Sequence, residues 1–415
     1  MIVVLQLIFV TSEAIRKYVF DQLFILALLD LAVLWILLRH SSGENRKFFF
    51  TVSGILLCHT LTFALINGYS PLTYLSGMRP VIYAFGGIVL AQWHFKRSSG
   101  LTLLGLCICI FFMTIFAILQ IYLGIEHPIN ATPMHLELSR GLGGYSSEVE
   151  NLVGGLVGGI FRPAAVFITT GKFGTYVASV TLVSICLLLT TNHNRSKIFV
   201  VILLAVIVLA NLVAMQRAFW YSFALFSTIF LFVFVLKKKD YIVFGPALIL
   251  VGGLVLTAFS SEFSIVAMRL SQFPGEIIDR LGEFSRILPM SLENIVVGKG
   301  FGFFSNYSHL VGGANYMDYY WNTGEGQYHI LIAELGTLTC IILIIWGITF
   351  AFHQLIRSFR RKAEVEGKCC FVRSYIIALI LLWASTHTIF ASVFLVLSLS
   401  FSLAILQKKI QDTAD

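Results

Sequence analysis

The sequence Thr323-Gly324-Glu325-Gly326-Gln327-Tyr328-His329 closes the longest polar run of the chain and leads directly into an apolar stretch that carries Glu334 and Gly336. The polar run begins at Ser260, and its charged, glycine and aromatic residues cannot lie in lipid. Nearly all of the remaining chain consists of hydrophobic stretches joined by short charged connectors. A loop of this kind, placed over a bundle of membrane helices, is where reacting groups can gather.

The composition predicts a polytopic membrane protein. The 415 residues are 58% hydrophobic and only 12% charged, whereas a soluble domain is about 25% charged. Apolar runs of about 18 or more residues recur along the chain and predict transmembrane helices. The net charge of +8 does not indicate nucleic-acid binding, because the cations are scattered among short connectors, where membrane topology accounts for them. No spacing of Cys and His predicts a metal site, and no cofactor is expected.

The hydropathy pattern predicts an all-α protein with about twelve transmembrane helices, since each crossing needs about 20 residues. The predicted spans cover residues 1–15, 21–39, 48–67, 72–94, 101–124, 163–190, 197–215, 217–236, 241–259, 326–352, 372–387 and 389–407. The first run is short, so eleven spans is the alternative. The predicted domains are a helical bundle with an external loop near 125–162, a large external loop, and the C-terminal helices with their tail, covering 1–259, 260–325 and 326–415.

The basic residues define the expected topology. They fall in alternate short connectors and in the C-terminal tail, which places them all on one side of the membrane. The positive-inside rule makes that side cytoplasmic, so both termini are expected in the cytoplasm and the two long loops outside. Within the large loop, behind Pro274-Gly275, four apolar residues recur at helical spacing and predict an amphipathic helix: Ile277, Leu281, Phe284 and Leu288.

Five arginines are expected at the external face: Arg79, Arg162, Arg217, Arg280 and Arg286. An arginine in or near a membrane is costly, so it usually has a partner or an anionic ligand. The planar guanidinium suits phosphate, because it gives bidentate hydrogen bonds. The alternative for each arginine is that it extends to the lipid headgroups.

Several acidic and histidine residues are further candidates. Asp30 lies inside an apolar run, where we expect a structural ion pair with an arginine rather than a catalyst. Glu325 stands at the start of the tenth predicted span, where it can act in chemistry or merely favour the helix dipole. His309 and His329 have the chemistry of general bases, with structural hydrogen bonding as the alternative.

The glycine-rich stretch Gly298-Lys299-Gly300-Phe301-Gly302 has two interpretations. Its backbone N–H groups can cradle a phosphate, although the stretch matches no established nucleotide fingerprint. A simple turn that joins the loop helix to the next segment explains the glycines equally well.

Four motifs together resemble the bacterial O-antigen polymerase and ligase superfamily. They are Arg162 followed by Gly171-Lys172-Phe173-Gly174; Gln216-Arg217-Ala218; the loop helix with Arg280 and Arg286 leading to Gly298-Lys299-Gly300-Phe301-Gly302; and Glu325-Gly326-Gln327-Tyr328 followed by Glu334-Leu335-Gly336. Ligases of this superfamily carry a histidine, followed by a small polar residue, eleven positions before a helix glycine. Counting back from Gly336 reaches Glu325 here, and polymerases tend to have an acidic residue at that position. The resemblance therefore favours the polymerase branch.

The resemblance implies a metal-independent glycosyltransferase of the C-type multi-helix class in the bacterial inner membrane, with its large loop in the periplasm. It would join oligosaccharides carried on polyprenyl pyrophosphate, and a chain-length regulator and a flippase are the implied protein partners.

The inferred roles follow from the demands of that reaction. Arg162 and Arg217 would bind the pyrophosphate, whose negative charge grows as it leaves. Glu325 would activate the acceptor hydroxyl, and Asp318, His309 and His329 are the other candidates for the base. The remaining predicted substrate contacts are Arg79, Arg280, Arg286, Tyr328 and His329.

Two alternatives stay open. One is an O-antigen ligase, which transfers the glycan to the lipid A core. The other is a polysaccharide or lipid transporter, for which inverted repeats and broken helices at mid-membrane are typical. The sequence predicts neither of these features.

Overall fold

The computed structural model describes residues 23–68, 70, 73–96, 100–124, 127, 129–130, 156–157, 160–161, 163, 165, 170–190, 206–207, 209–210, 213, 291–292, 295–296, 298–303, 327–360, 364–386 and 393–414. Apart from one short hairpin, the regular elements of these residues are helices. The helices are α1 (Leu23–His40), α2 (Gly43–Asn67), α3 (Thr73–Lys96), α4 (Gly100–Leu123), α5 (Thr170–Thr190), α6 (Gln327–Leu335), α7 (Thr337–Arg360), α8 (Glu364–Thr386) and α9 (Val393–Ala414). The hairpin pairs β1 (Leu156–Val157) with β2 (Ile160–Phe161) in antiparallel register.

The chain is a helical membrane protein. Within the described ranges, four helical stretches are long and apolar enough to cross a membrane: Gly43–Ile66, Gly105–Leu123, Thr337–Phe359 and Phe394–Asp412. The predicted helical class is therefore confirmed, while the number of twelve spans stays a prediction. The predicted spans 1–15, 217–236 and 241–259 lie outside the described residues, as does the predicted amphipathic helix of the large loop.

The chain forms two compact units. The first contains residues 1–29 and 98–274, and within it α4 packs against α5. The end of α4 is tied to a turn before α5, since the side-chain amide of Gln120 donates to the carbonyl of Ala165 at 3.1 Å. Ala165 has a positive φ of 49°, which is uncommon for a residue with a Cβ. Residues 163 and 165 are not helical and α5 is described from Thr170, so the predicted start of this span at residue 163 is wrong.

The second unit contains residues 30–97 and 275–415. Its most extensive helix pair is α3 with α9, and α7, α8 and α9 pack in succession. The approach of α3 to α9 depends on Gly87, because a Cβ at that position would lie 2.5 Å from both the carbonyl oxygen of Leu397 and the amide nitrogen of Phe401, and would overlap Ser400 Oγ. A side chain larger than hydrogen does not fit at this crossing.

The predicted span 326–352 is wrong in one respect, because the helix is broken. Helix α6 ends at Leu335, Gly336 adopts a left-handed φ of 91°, and α7 begins at Thr337. Glycine tolerates this backbone conformation without a steric penalty. Below the break, the N–H of Leu338 donates to the carbonyl of Ile295 at 3.0 Å, so a segment of the large loop packs beside it.

The predicted span 372–387 begins eight residues too late, since α8 starts at Glu364. Its first turns carry charges that the hydropathy pattern excluded from a span. Glu366 is nevertheless buried and pairs with Arg357 of α7, where the Nη2–Oε1 distance is 3.3 Å. Pairing lets the helix continue through a stretch that hydrophobicity alone would end.

Candidate functional site

Three of the predicted site residues lie in the described part of the chain: Arg79, Tyr328 and His329. The others lie outside it, so their predicted roles stay predictions: Arg162, Arg217, Arg280, Arg286 and Glu325, together with the alternative bases Asp318 and His309. The part of the site that the structure describes is therefore α6 and the segments that contact it. Glu325 precedes α6 by two positions in the sequence.

Arg79 is paired with Asp30 of α1. Its Nε lies 2.5 Å from Asp30 Oδ2, and its Nη2 donates to Oδ1 at 3.4 Å. Tyr83, one helical turn further along α3, donates its hydroxyl to the same Oδ1 at 3.1 Å. Asp30 is only 7% exposed, and a buried charge is tolerated when it is paired and hydrogen-bonded in this way. The expected ion pair between Asp30 and an arginine is confirmed, and it engages one edge of the Arg79 guanidinium.

The glycine-rich stretch caps the end of α6. The N–H of Lys299 donates to the carbonyl of Ala333 at 2.7 Å, and the N–H of Gly300 donates to that of Glu334 at 3.0 Å. Carbonyls in the last turn of a helix have no partner within the helix, so these bonds satisfy them. Because both amides are already used, the structure favours the turn over the phosphate cradle.

Gly298 makes this capping possible. A Cβ on Gly298 would lie 2.5 Å from the carbonyl oxygen of Glu334, and it would also overlap the Ala333 oxygen and the Glu334 carbonyl carbon. All of these are backbone atoms, which cannot move aside as the end of a flexible side chain can. The main chain of the loop therefore reaches α6 only with glycine at this position.

The same stretch also docks on α2 and α3. The hydroxyl of Thr60 donates to the carbonyl of Phe301 at 3.0 Å, although the two residues are 241 positions apart. A Cβ on Gly77 would lie 2.7 Å from the Cα of Gly302. Residues 298–303 thus form a strut, which we call the glycine strut, between the α2–α3 pair and α6. The sequence analysis did not predict the roles of Thr60 and Gly77. The one available signal was that Gly77, two positions before Arg79, is a small residue.

Tyr328 and His329 contribute to packing around α6. The hydroxyl of Tyr328 donates to the carbonyl of Leu381 at 2.6 Å, which ties α6 to α8. His329 is buried with 3% of its surface exposed, and Glu334 is similarly buried at 5%. The start of α6 is therefore held by a hydrogen bond to α8 and its end by the glycine strut.

A break of the Asp30–Arg79 pair is expected to destabilise the protein strongly. Asp30→Asn leaves the guanidinium of Arg79 without its carboxylate, and the loss of one partner from a buried pair costs about 3–5 kcal/mol. The double variant Asp30→Asn/Arg79→Gln should recover part of that loss, because no uncompensated charge remains. Thermal unfolding of the purified protein in detergent measures both effects.

The matched control is Asp412→Asn, which breaks the exposed pair of Lys408 and Asp412 on α9, 3.0 Å apart. That change should alter the free energy of unfolding by about 0.5 kcal/mol or less. An Asp30→Asn variant as stable as Asp412→Asn would contradict a supporting role for the buried pair.

Among the described residues, no three His, Cys, Asp or Glu side chains are grouped closely enough to hold a metal ion. No protein-family model matches the sequence, and no curated protein or solved structure matches it either.

Proposed function

We propose that the chain polymerises polyprenyl-pyrophosphate-linked oligosaccharide repeat units, of O-antigen or a related surface polysaccharide, at the periplasmic face of a bacterial inner membrane. The observation that carries the proposal is the contact between two motifs that resemble the polymerase family. The glycine strut, from the third motif, donates hydrogen bonds to the α6 carbonyls of Ala333 and Glu334, and Glu334 belongs to the fourth motif. Motifs separated by more than thirty residues in sequence thus support one short helix, and Glu325 lies just before it.

The proposed reaction is a metal-independent displacement. The acceptor hydroxyl of one repeat unit attacks the anomeric carbon of the other, and Glu325 takes the hydroxyl proton. The bond between that carbon and the pyrophosphate oxygen breaks, and the lipid pyrophosphate leaves with the electron pair. Arg162 and Arg217 stabilise the negative charge that develops on the leaving group. In this proposal Arg79 has a supporting role and does not contact the pyrophosphate directly, because Asp30 engages its Nε and Nη2.

The apolar helices suit a substrate whose anchor is a long hydrocarbon chain. Large hydrophobic side chains are exposed along α2 and α7, among them Leu65 and Trp346. Exposed apolar surface of this extent is expected to face lipid. The lipid portions of donor and acceptor would stay in the bilayer while the sugars meet at its surface.

A transporter is the second candidate, and the break at Gly336 favours it. Transporter sites are commonly built on broken helices, whose exposed ends bind the substrate. The sequence-based expectation concerned breaks at mid-membrane, and Gly336 directly precedes the apolar stretch Thr337–Phe359. In this chain, however, the glycine strut already caps the end of α6 at Ala333 and Glu334, so those carbonyls are occupied by backbone donors.

The deciding experiment supplies lipid-linked single repeats to the purified protein and separates the products by length. A polymerase yields a ladder of longer lipid-linked glycans without a second compartment, whereas a transporter yields none. In cells, deletion of the gene should leave single repeats on the lipid core. Loss of all attached glycan would indicate the ligase.

Substitution of Arg217 tests the proposed chemistry in the same assay. Arg217→Ala should abolish the ladder while the protein still accumulates in the membrane. Arg217→Lys should restore only part of the activity, since lysine offers a point charge in place of a planar fork. A normal ladder from Arg217→Ala would remove this arginine from the mechanism.

A further inference from the structure

A second polar site lies away from α6, where α7, α8 and α9 meet. Arg373 of α8 is buried, with 8% of its surface exposed. Its Nη1 donates to Oε1 of Gln354 on α7 at 3.4 Å and to Oε1 of Gln407 on α9. Its guanidinium carbon lies 5.3 Å from the centre of the Phe350 ring. One cation thus joins three helices, and neutral groups provide these contacts.

One edge of this guanidinium has no protein partner among the described residues. Both hydrogen bonds to the glutamines use Nη1, and Nε has no hydrogen-bond partner among the described residues. The Nε–Nη2 edge is the pair of parallel donors that a phosphate or carboxylate takes in bidentate fashion. No carboxylate in the described ranges occupies that edge of Arg373.

The surrounding charge is positive. Arg357 is near enough for its charge to act on Arg373, and Lys409 and Glu366 both act on the neighbouring Cys369. Glu366, the only carboxylate of this described group, is bonded to Arg357. The group therefore holds three cations and one anion, and we call it the Arg373 cluster: Arg357, Glu366, Arg373 and Lys409 with Gln354 and Gln407.

The Arg373 cluster is partly exposed at Arg357. The side chain of Arg357 is 31% exposed, and the residues that follow α7 in the sequence are Arg361 and Lys362. These residues belong to the basic connectors that the sequence places on the cytoplasmic side. Basic pockets between helices on that side are suited to anionic headgroups.

We propose that the Arg373 cluster binds the phosphate of an anionic phospholipid headgroup between α7, α8 and α9. Gln354 and Gln407 orient the guanidinium, the Nε–Nη2 edge of Arg373 contacts the phosphate, and Arg357 and Lys409 add attraction at the opening. Glu366 opposes the headgroup, because it competes for Arg357. This site is separate from the proposed glycosyl-transfer chemistry and does not depend on it.

The test measures retained phospholipid by native mass spectrometry on the full-length protein, after reconstitution in mixed phosphatidylglycerol and phosphatidylcholine. The parental protein should keep phosphatidylglycerol in preference to phosphatidylcholine. Arg373→Gln should reduce that retention about ten-fold or more, as expected for loss of charge-assisted hydrogen bonds. Arg373→Lys should recover only part of it. Glu366→Gln should change retention in the opposite direction and increase it.

Lys408→Gln is the matched control, because Lys408 carries the same charge on α9 but is 49% exposed and pairs with Asp412. It should leave retention unchanged. Equal retention by the parental protein and Arg373→Gln would overturn the proposal. If Arg373→Gln does not fold, Arg373→Lys decides in its place, since retention equal to that of the parental protein would overturn the bidentate contact. Unchanged or lower retention in a folded Glu366→Gln variant overturns the proposal as well.

Competition with inorganic phosphate distinguishes a lipid headgroup from a soluble phosphate as the ligand. In excess, inorganic phosphate should displace phosphatidylglycerol only weakly, because the acyl chains hold the lipid in the bilayer. Full displacement by phosphate, together with no preference between the two lipids, would overturn the lipid assignment in favour of a soluble phosphate.

Discussion

Glu325→Gln should lower the rate of glycan polymerisation by about 10²–10⁴-fold, the usual cost of removing a general base. The substitution keeps the size and the hydrogen-bonding ability of the side chain and removes only its capacity to accept a proton. Glycine on both sides of Glu325 lets the main chain bring the carboxylate close to a substrate. The rate at which the purified protein extends lipid-linked repeats measures the effect, and in cells the surface glycan should collapse to single repeats.

Two comparisons distinguish the role of Glu325 as a proton acceptor from a purely structural role. Glu325→Asp should keep partial activity, because the same group is withdrawn by about one methylene. If Glu325 only favours the dipole of α6, the interaction amounts to about 0.3–1 kcal/mol. Glu325→Gln would then leave the polymerisation rate nearly unchanged. A parental rate in that variant would end the base assignment and return Asp318, His309 and His329 as candidates.

Gly298→Ala is expected to destabilise the second unit by about 3 kcal/mol or more. The new methyl group would overlap the backbone of Ala333 and Glu334, and overpacking of this kind costs about 1–3 kcal/mol. The bonds from Lys299 and Gly300 to α6 would be lost as well, at about 1 kcal/mol each. The thermal unfolding temperature in detergent should fall, and polymerisation should fall with it, because the glycine strut supports the helix after Glu325.

Gly54→Ala is the control for this substitution. Gly54 lies inside α2, and a Cβ there would meet no atom within 4 Å. Alanine favours a helix over glycine by about 0.5–1 kcal/mol, so this variant should be as stable as the parental protein or slightly more so. Equal unfolding temperatures for Gly298→Ala and Gly54→Ala would show that the strut does not support α6.

The sequence predicted the elements whose cause is local. Apolar runs predicted the positions of α1 to α4 to within a few residues, except that α2 starts five residues earlier, at Gly43. Asp30 inside an apolar run predicted an ion pair, because a lone buried carboxylate is too costly. The identity of its partner was not predictable, since the pairing of Asp30 with Arg79 depends on how α1 lies against α3.

The sequence failed where distant segments decide the local structure. No helix-breaking proline marks the break at Gly336 in the sequence. Ile295, Lys299 and Gly300 of the large loop form backbone hydrogen bonds to residues on either side of it. The phosphate cradle and the simple turn differ only in the acceptor for the N–H groups of the glycine-rich stretch. In the structure, the acceptors are carbonyls of α6. Arg373 was overlooked because its partners, Gln354 and Gln407, are on other helices.

The close crossing of α3 and α9 has a consequence for the order of synthesis. About 310 residues separate Gly87 from Ser400 in the sequence. At translation rates of about 5–20 residues per second, α3 waits between about 15 and 60 s for the helix that covers it. During that interval, the side of α3 that carries Gly87 meets lipid or the insertion machinery in place of α9. A chain truncated before Val393 would never cover that face, and we expect membrane proteases to remove it even though every earlier helix has been inserted.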